Sequence, residues 1–245
     1  MSETKIIMGM PITINIADKV SSKYLKSCFD YFESVDKRFS PYKAGSEVSM
    51  INKKIANLKL SQEMKEVLKL AEATKQQTEG YFDIEHNGQI DPSGLVKGWA
   101  INNAASLLLN AGIKNFCIEA GGDIQVHGKS NDGPWLIGIK NPFNQQEIVK
   151  TIKLNNQGVA TSGTYIRGQH IYNPHNPKDK LTIVKSLTVI AKNIFEADRF
   201  ATAAYAMGVK GIEFINKTFG LEGYMITEDG LATYTNGFER YVINA

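Results

Sequence analysis

Cysteine is scarce in this sequence: 245 residues include only Cys28 and Cys117, each inside an apolar run (KSCFD and NFCIEA). Two thiols make no disulfide framework, and both read as buried thiols of a reducing compartment. An excess of one charge is also lacking. Lys+Arg number 28 against 25 Asp+Glu, a net charge of +3, so there is no polyanion footprint and nucleic acid is not suggested. No apolar run is long enough to cross a bilayer. The N-terminal MSETKIIMGMPITINIAD has no basic segment leading into an apolar stretch and a small-residue cleavage site, so a cytoplasmic location is expected. Internal repeats and low-complexity linkers are missing. So are the P-loop, the G-x-G-x-x-G fingerprint, HExxH and any Ser-His-Asp order.

What is present is a globular composition, 42% hydrophobic and 22% charged, enough for a sizeable core and too apolar for disorder. Residues 5–17 alternate Ile12, Ile14 and Ile16 with polar neighbours and predict one strand. Asp18 is expected to cap a helix carrying Val20, Tyr24, Leu25, Cys28, Phe32, Val35 and Phe39, ended by Pro41. A short helix should follow Ser46, and a longer one should run from the Ser61 cap to Gly80. LVKGWAINNAASLLLNAG reads as a helix ending at Gly112, with Leu95, Ala104, Leu107, Leu108 and Ala111 on its buried face. NFCIEA, DIQVHG, WLIGIK, IVKTIKL, GQHIYN and SLTVIA predict an antiparallel meander. A helix opening near Glu196, another over GIEFINKTFG and a hairpin around Asp229-Gly230 complete the chain. The expectation is one α+β domain over 1–245.

Several polar clusters could carry chemistry, each with a plain alternative. Asp91-Pro92-Ser93-Gly94-Leu95-Val96-Lys97-Gly98 either simply starts a helix or offers that helix's N-terminal amides and Lys97 to an anion. Glu119-Ala120-Gly121-Gly122-Asp123 is a hairpin turn or a place where a ligand comes close to the main chain. Thr161-Ser162-Gly163-Thr164 is a turn or a phosphate-binding loop. His170 is a structural histidine or a base. Asp198 and Thr202 share one helix face, either as surface residues or as hard oxygen ligands suited to Mg²⁺ rather than zinc.

In order, Met8-Gly9, FSPYKAGSEVSMIN, GYFDI, DPSGLVKGWA, EAGGDI, ATSGTY, HIYNP and EADRFATA resemble the ApbE family, the FAD:protein FMN transferases. The resemblance covers nearly the whole chain. It implies a T-fold-like α+β domain with an antiparallel sheet and packed helices. It also implies Mg²⁺-dependent cleavage of FAD, with FMN joined through a phosphoester to a Thr or Ser of an acceptor flavoprotein and AMP released. Some members instead hydrolyse FAD to FMN and AMP; a flavin-binding protein without turnover is a further alternative. By position, the resemblance makes Asp198, Thr202 and the Gly94 carbonyl metal ligands, with Asp198 also counted as catalytic. Met8, Tyr42, Tyr81, Phe82, Asp83, Asp91 and Lys97 meet the FAD, and His170 is the base. Tyr172 is a further candidate for the flavin slot by placement. The chain departs from the family pattern where Pro174 leads into His175-Asn176-Pro177-Lys178. It also has Ala201 where some relatives carry a second carboxylate, and it shows no lipidated cysteine.

Overall fold

The computed structural model describes residues 1–163, 171–178 and 180–243. An eight-stranded antiparallel sheet organises them, in the order β1-β2-β5-β6-β9-β10-β11-β12. Its strands are β1 Ser2–Ile7, β2 Met10–Ile16, β5 Phe116–Ala120, β6 Asp123–His127, β9 Gly158–Gly163, β10 Val184–Ala191, β11 Glu222–Thr227 and β12 Ala232–Tyr234. Alternation puts Ile12, Ile14, Ile16, Phe116, Ile118, Leu187 and Val189 on one face, against helices α1 Lys23–Phe39, α4 Ser93–Asn110 and α5 Ile194–Ala206. The opposite face carries Val126, Val159, Ile190, Tyr224 and Ile226. It is covered by Trp135, Ile139, Ile152 and Leu154 of a separate hairpin, β7 Trp135–Lys140 and β8 Ile148–Leu154. Each fully buried Ile or Phe in these layers contributes about 1.5–3 kcal/mol of transfer free energy.

The α+β architecture agrees with the sequence expectation; several elements differ in detail. Residues 5–17 are not one strand. β1 and β2 form a hairpin whose turn, Met8-Gly9, has φ of 56° and 72°, the left-handed pair that suits a tight hairpin. Asp18 does not cap α1, which begins at Lys23. Its carboxylate instead accepts from the amides of Lys114 (2.7 Å) and Asn115 (3.0 Å) and from Asn115 Nδ2 (2.6 Å), tying the start of β5 to the end of β2. Ser46 and Ser61 do cap α2 Glu47–Asn52 and α3 Gln62–Gln77, accepting from Ser49 N and Met64 N. The meander is interrupted because β7 and β8 leave the sheet and β9 returns to pair with β6. Of GQHIYN, Ile171–Asn173 form no strand, and the first three residues lie outside those described.

On α4, Leu95, Ala104 and Leu108 are buried as expected. Leu107 (43% exposed) and Ala111 are not, whereas Trp99, Ala100, Ile101 and Ala105 are. The helix is wedged between the sheet and its neighbours, so it buries more than one stripe. α5 starts at Ile194, two residues before Glu196, because Asn193 Oδ1 accepts from Glu196 N. α6 Gly211–Lys217 and the β11–β12 hairpin follow as expected. Short strands β3 Glu85–His86 and β4 Gln89–Ile90 lie inside the turn-rich stretch before α4. Burial pushes the Cys28 and Cys117 thiols up to about 11 and about 12, and no disulfide joins them. No helix among the described residues is long and apolar enough to cross a membrane.

Candidate active site

The strand register gathers distant pieces of chain at one end of the sheet. The Met8-Gly9 turn, the Gly121-Gly122 turn, the last residues of β9 and the first of β10 all lie there. The N-terminus of α4 meets the same end. Asn52 fixes the approach to it: its Nδ2 donates to Ile90 O (2.9 Å) and its Oδ1 accepts from Ile90 N (2.8 Å). Asp91 Oδ1 then accepts from Ser93 N (3.0 Å), shaping the turn from which α4 rises.

α4 and α5 pack together through Gly94 and Gly98. A Cβ on Gly94 would lie 3.6 Å from Thr202 Cγ2 and 3.9 Å from its Oγ1. Asp198, 3% exposed, accepts from Gly98 N through Oδ2 at 2.8 Å. In a regular α-helix that N–H points at the Gly94 carbonyl; here a carboxylate draws on it. Asp198, Thr202 and Gly94 therefore meet across the two helices. The donors are a carboxylate, a hydroxyl and a carbonyl, all hard oxygens, and a Mg²⁺ that keeps waters and substrate phosphates as its other ligands needs few more from protein. The residues fit that ion. No group of three or more His, Cys, Asp or Glu poised for a metal occurs among the described residues.

Lys97 lies one helical turn further along. Its ammonium contacts Asp123 Oδ2 directly and stands 3.5 Å from Asp198 Oδ1. The sequence marks EAGGDI as a glycine turn and gives no signal that the site includes the side chain of Asp123. Its Oδ1 accepts from Thr161 N (3.2 Å), and Thr161 Oγ1 is bonded to Thr188 Oγ1 (2.8 Å).

Clefts formed by the described residues open beside this cluster, two of them at the start of α4. The larger, about 620 Å³, is lined by Met8, Phe39, Tyr42, Asp91, Val96 and Lys97 among others. Tyr42 stands at its rim, 94% exposed. The smaller, about 90 Å³, is lined by Tyr81, Phe82, Asp83, Asp91, Gly94, Tyr172 and Thr202 among others. Asp91 and Ser93 line both, so the clefts adjoin at the start of α4. Tyr172 braces the smaller one: its phenol donates to Asp83 O and Glu85 O, each at 3.1 Å, and its ring packs on His86. Burial first, then the charges of Asp83, Asp91 and Glu85, push the phenol up to about 12, so it stays a donor. His175, where the chain departs from the family pattern, packs on Tyr81 (4.4 Å between rings) and bonds to Glu79 O through Nε2 (2.8 Å). Asp83 pairs with Lys75 at 2.7 Å. His170 lies outside the described residues.

The sequence matches the ApbE family over residues 8–88 and 85–225. The chain belongs to the ApbE family. Its relatives include the FAD:protein FMN transferases of Vibrio cholerae, 31% identical over 159 residues (60% of this chain, 48% of the relative), and of Haemophilus influenzae, 32% identical over 158 residues (59% and 45%). That of Escherichia coli K12 is 28% identical over 151 residues (58% and 43%). The match spans about half the length of these ApbE relatives. In solved ApbE structures the fold recurs over the full chain. The Thermotoga maritima ApbE protein superposes with a TM-score of 0.89 at 21% identity, covering 100% of this chain and 99% of that one. The Vibrio cholerae flavin transferase ApbE gives 0.85 at 24% identity, covering 98% of each.

Proposed function

We propose that this chain is a Mg²⁺-dependent FAD:protein FMN transferase, joining FMN through a phosphoester to a Ser or Thr of an acceptor flavoprotein and releasing AMP. The observation that carries the reading is the meeting of Asp198, Thr202 and Gly94 beside Lys97, where the two clefts adjoin at the start of α4. The names of the relatives agree with it.

Asp198, Thr202 and the Gly94 carbonyl would hold Mg²⁺, which supplies charge stabilisation to the phosphate oxygens as the bond breaks. The acceptor hydroxyl oxygen bonds to the FMN-side phosphorus, the bond from that phosphorus to the AMP oxygen breaks, and AMP leaves with the electron pair. His170 takes the hydroxyl proton. Lys97 donates to the phosphate oxygens, and the first amides of α4 add the positive end of a helix dipole. Met8, Tyr42, Phe82 and Tyr172 offer apolar and aromatic walls for the two ring systems of FAD.

The test is mass spectrometry of the products from FAD and Mg²⁺, with and without an acceptor carrying a Thr loop, and with EDTA and Asp198→Ala as controls. Metal-dependent AMP together with an acceptor heavier by FMN supports the transferase. Free FMN and AMP that persist in the presence of acceptor would make the protein a pyrophosphatase. Tight binding of unchanged FAD would make it a flavin-binding protein.

A further inference from the structure

We propose that Asp123 is a positioning residue of this site: it holds the Lys97 ammonium toward the sheet, so that the lysine only partly cancels the charge of Asp198. The proposal rests on the metal reading above and deepens it.

Asp123 is 1% exposed and opens β6 directly after the Gly121-Gly122 turn. Its Oδ1 is fixed by Thr161 N at 3.2 Å, and the Thr161 hydroxyl is itself bonded to Thr188. Its Oδ2 is buried, makes no hydrogen bond of regular geometry, and has the Lys97 ammonium in direct contact. The same ammonium is 3.5 Å from Asp198 Oδ1, beyond the roughly 2.7–2.9 Å of a charge-assisted hydrogen bond. Two carboxylates of equal charge thus hold one lysine unequally. Each carboxylate is buried and accepts one backbone N–H, Asp123 from Thr161 and Asp198 from Gly98, so what distinguishes them is the direct contact of Lys97 with Asp123.

The charges have a consequence for the site. Asp123, Asp198 and Lys97 together carry one net negative charge, and the geometry places that surplus on the Asp198 side, where Thr202 and Gly94 stand. A divalent cation is then favoured beside Asp198, while the lysine stays close enough to reach phosphate oxygens. Without the Asp123 carboxylate, Asp198 is the remaining carboxylate within ion-pair distance of Lys97 among the described residues, and the lysine becomes a competitor for the metal.

Asp123→Asn tests this, since the amide keeps an oxygen for Thr161 N and nearly the same shape. In a metal-free crystal structure of the variant, the Lys97 Nζ to Asp198 Oδ1 separation should close from 3.5 Å to about 2.8 Å. Calorimetric Mn²⁺ affinity should fall about tenfold or more, the usual effect of losing a residue that orients a metal ligand. The double variant Lys97→Met with Asp123→Asn, which removes one charge of each sign and leaves Asp198 to the metal, should recover affinity to within about threefold of the parent, because the competing cation is gone. A merely structural Asp123 would lower stability without moving Lys97, and the double variant would not recover. Asp123→Ser is read in the same way should the buried amide prevent folding. An unmoved Lys97 with unchanged Mn²⁺ affinity overturns the proposal, as does a double variant as weak as the single one. Parent protein that binds no Mn²⁺ would refute the metal reading instead, and the metal-free lysine position would still decide the role of Asp123.

Discussion

Gly98 and Asp198 are in contact across two helices and 100 residues of sequence: the amide of the first donates to Oδ2 of the second at 2.8 Å. A Cβ built on Gly98 would sit 2.7 Å from Asp198 Cβ, 2.9 Å from its Oδ2 and 3.0 Å from Ile194 O. Gly98→Ala should therefore push α4 and α5 apart. Overpacking costs about 1–3 kcal/mol, partly offset by the better helix propensity of Ala, about 1 kcal/mol. The expected result is a lower melting temperature and weaker Mg²⁺ stabilisation in thermal unfolding. An unchanged melt with full Mg²⁺ response would show that the contact is not needed.

Thr202→Val keeps the shape that meets Gly94 and removes the hydroxyl. The Mg²⁺ concentration giving half-maximal FAD cleavage should rise about tenfold or more, with stability nearly unaltered. Titrating Mg²⁺ against initial rates checks it; an unshifted midpoint would remove Thr202 from the ligand set.

Tyr172→Phe deletes a phenol whose one proton is shared between the Asp83 and Glu85 carbonyls, an interaction worth about 0.5–1.5 kcal/mol. The wall of the smaller cleft should loosen. Amide exchange at residues 83–85 and 171–178 should quicken, and KM for FAD should rise more than kcat falls. The parent should show no ionisation of this phenol below pH 11, since its pKa is pushed up to about 12.

Asp18→Asn addresses the fold rather than the site. Burial pushes this carboxyl up, but the Asn115 side chain, the amides of Lys114 and Asn115 and the Lys114 charge outweigh it and hold it below its ordinary value. A depressed folded value means stability that is present above the unfolded pKa and is lost as pH falls through the folded one. The variant should melt a few degrees below the parent at pH 7, and the gap should shrink below about pH 4. A gap independent of pH would mean that charge contributes nothing at this turn.

The sequence discloses layers better than junctions. Ile12, Ile14 and Ile16 are legible as a half-buried strand because one face of β2 packs on helices, and Ser46 and Ser61 are legible as caps because their hydroxyls have a local task. The Met8-Gly9 turn is not, since methionine carries no signal for a positive φ. Asp18 looks like a cap but serves a partner near residue 115, a non-local bond that no window of sequence contains. The site divides likewise. Asp198 and Thr202 share a helix face and can be paired by spacing, and Lys97 sits near a helix start. Asp123 becomes a candidate only when the sheet register brings it to Lys97.

That register also governs when the site can exist during folding. Lys97, Asp123, Thr161 and Asp198 belong to α4, β6, β9 and α5, so only a segment running from α4 through α5 holds the whole constellation. β6 and β9 pair across the intervening β7–β8 hairpin, and such long-range pairing forms slowly. A chain that ends before α5 lacks Asp198 and Thr202. On the proposed reading, metal binding would therefore report the docking of α4 against α5.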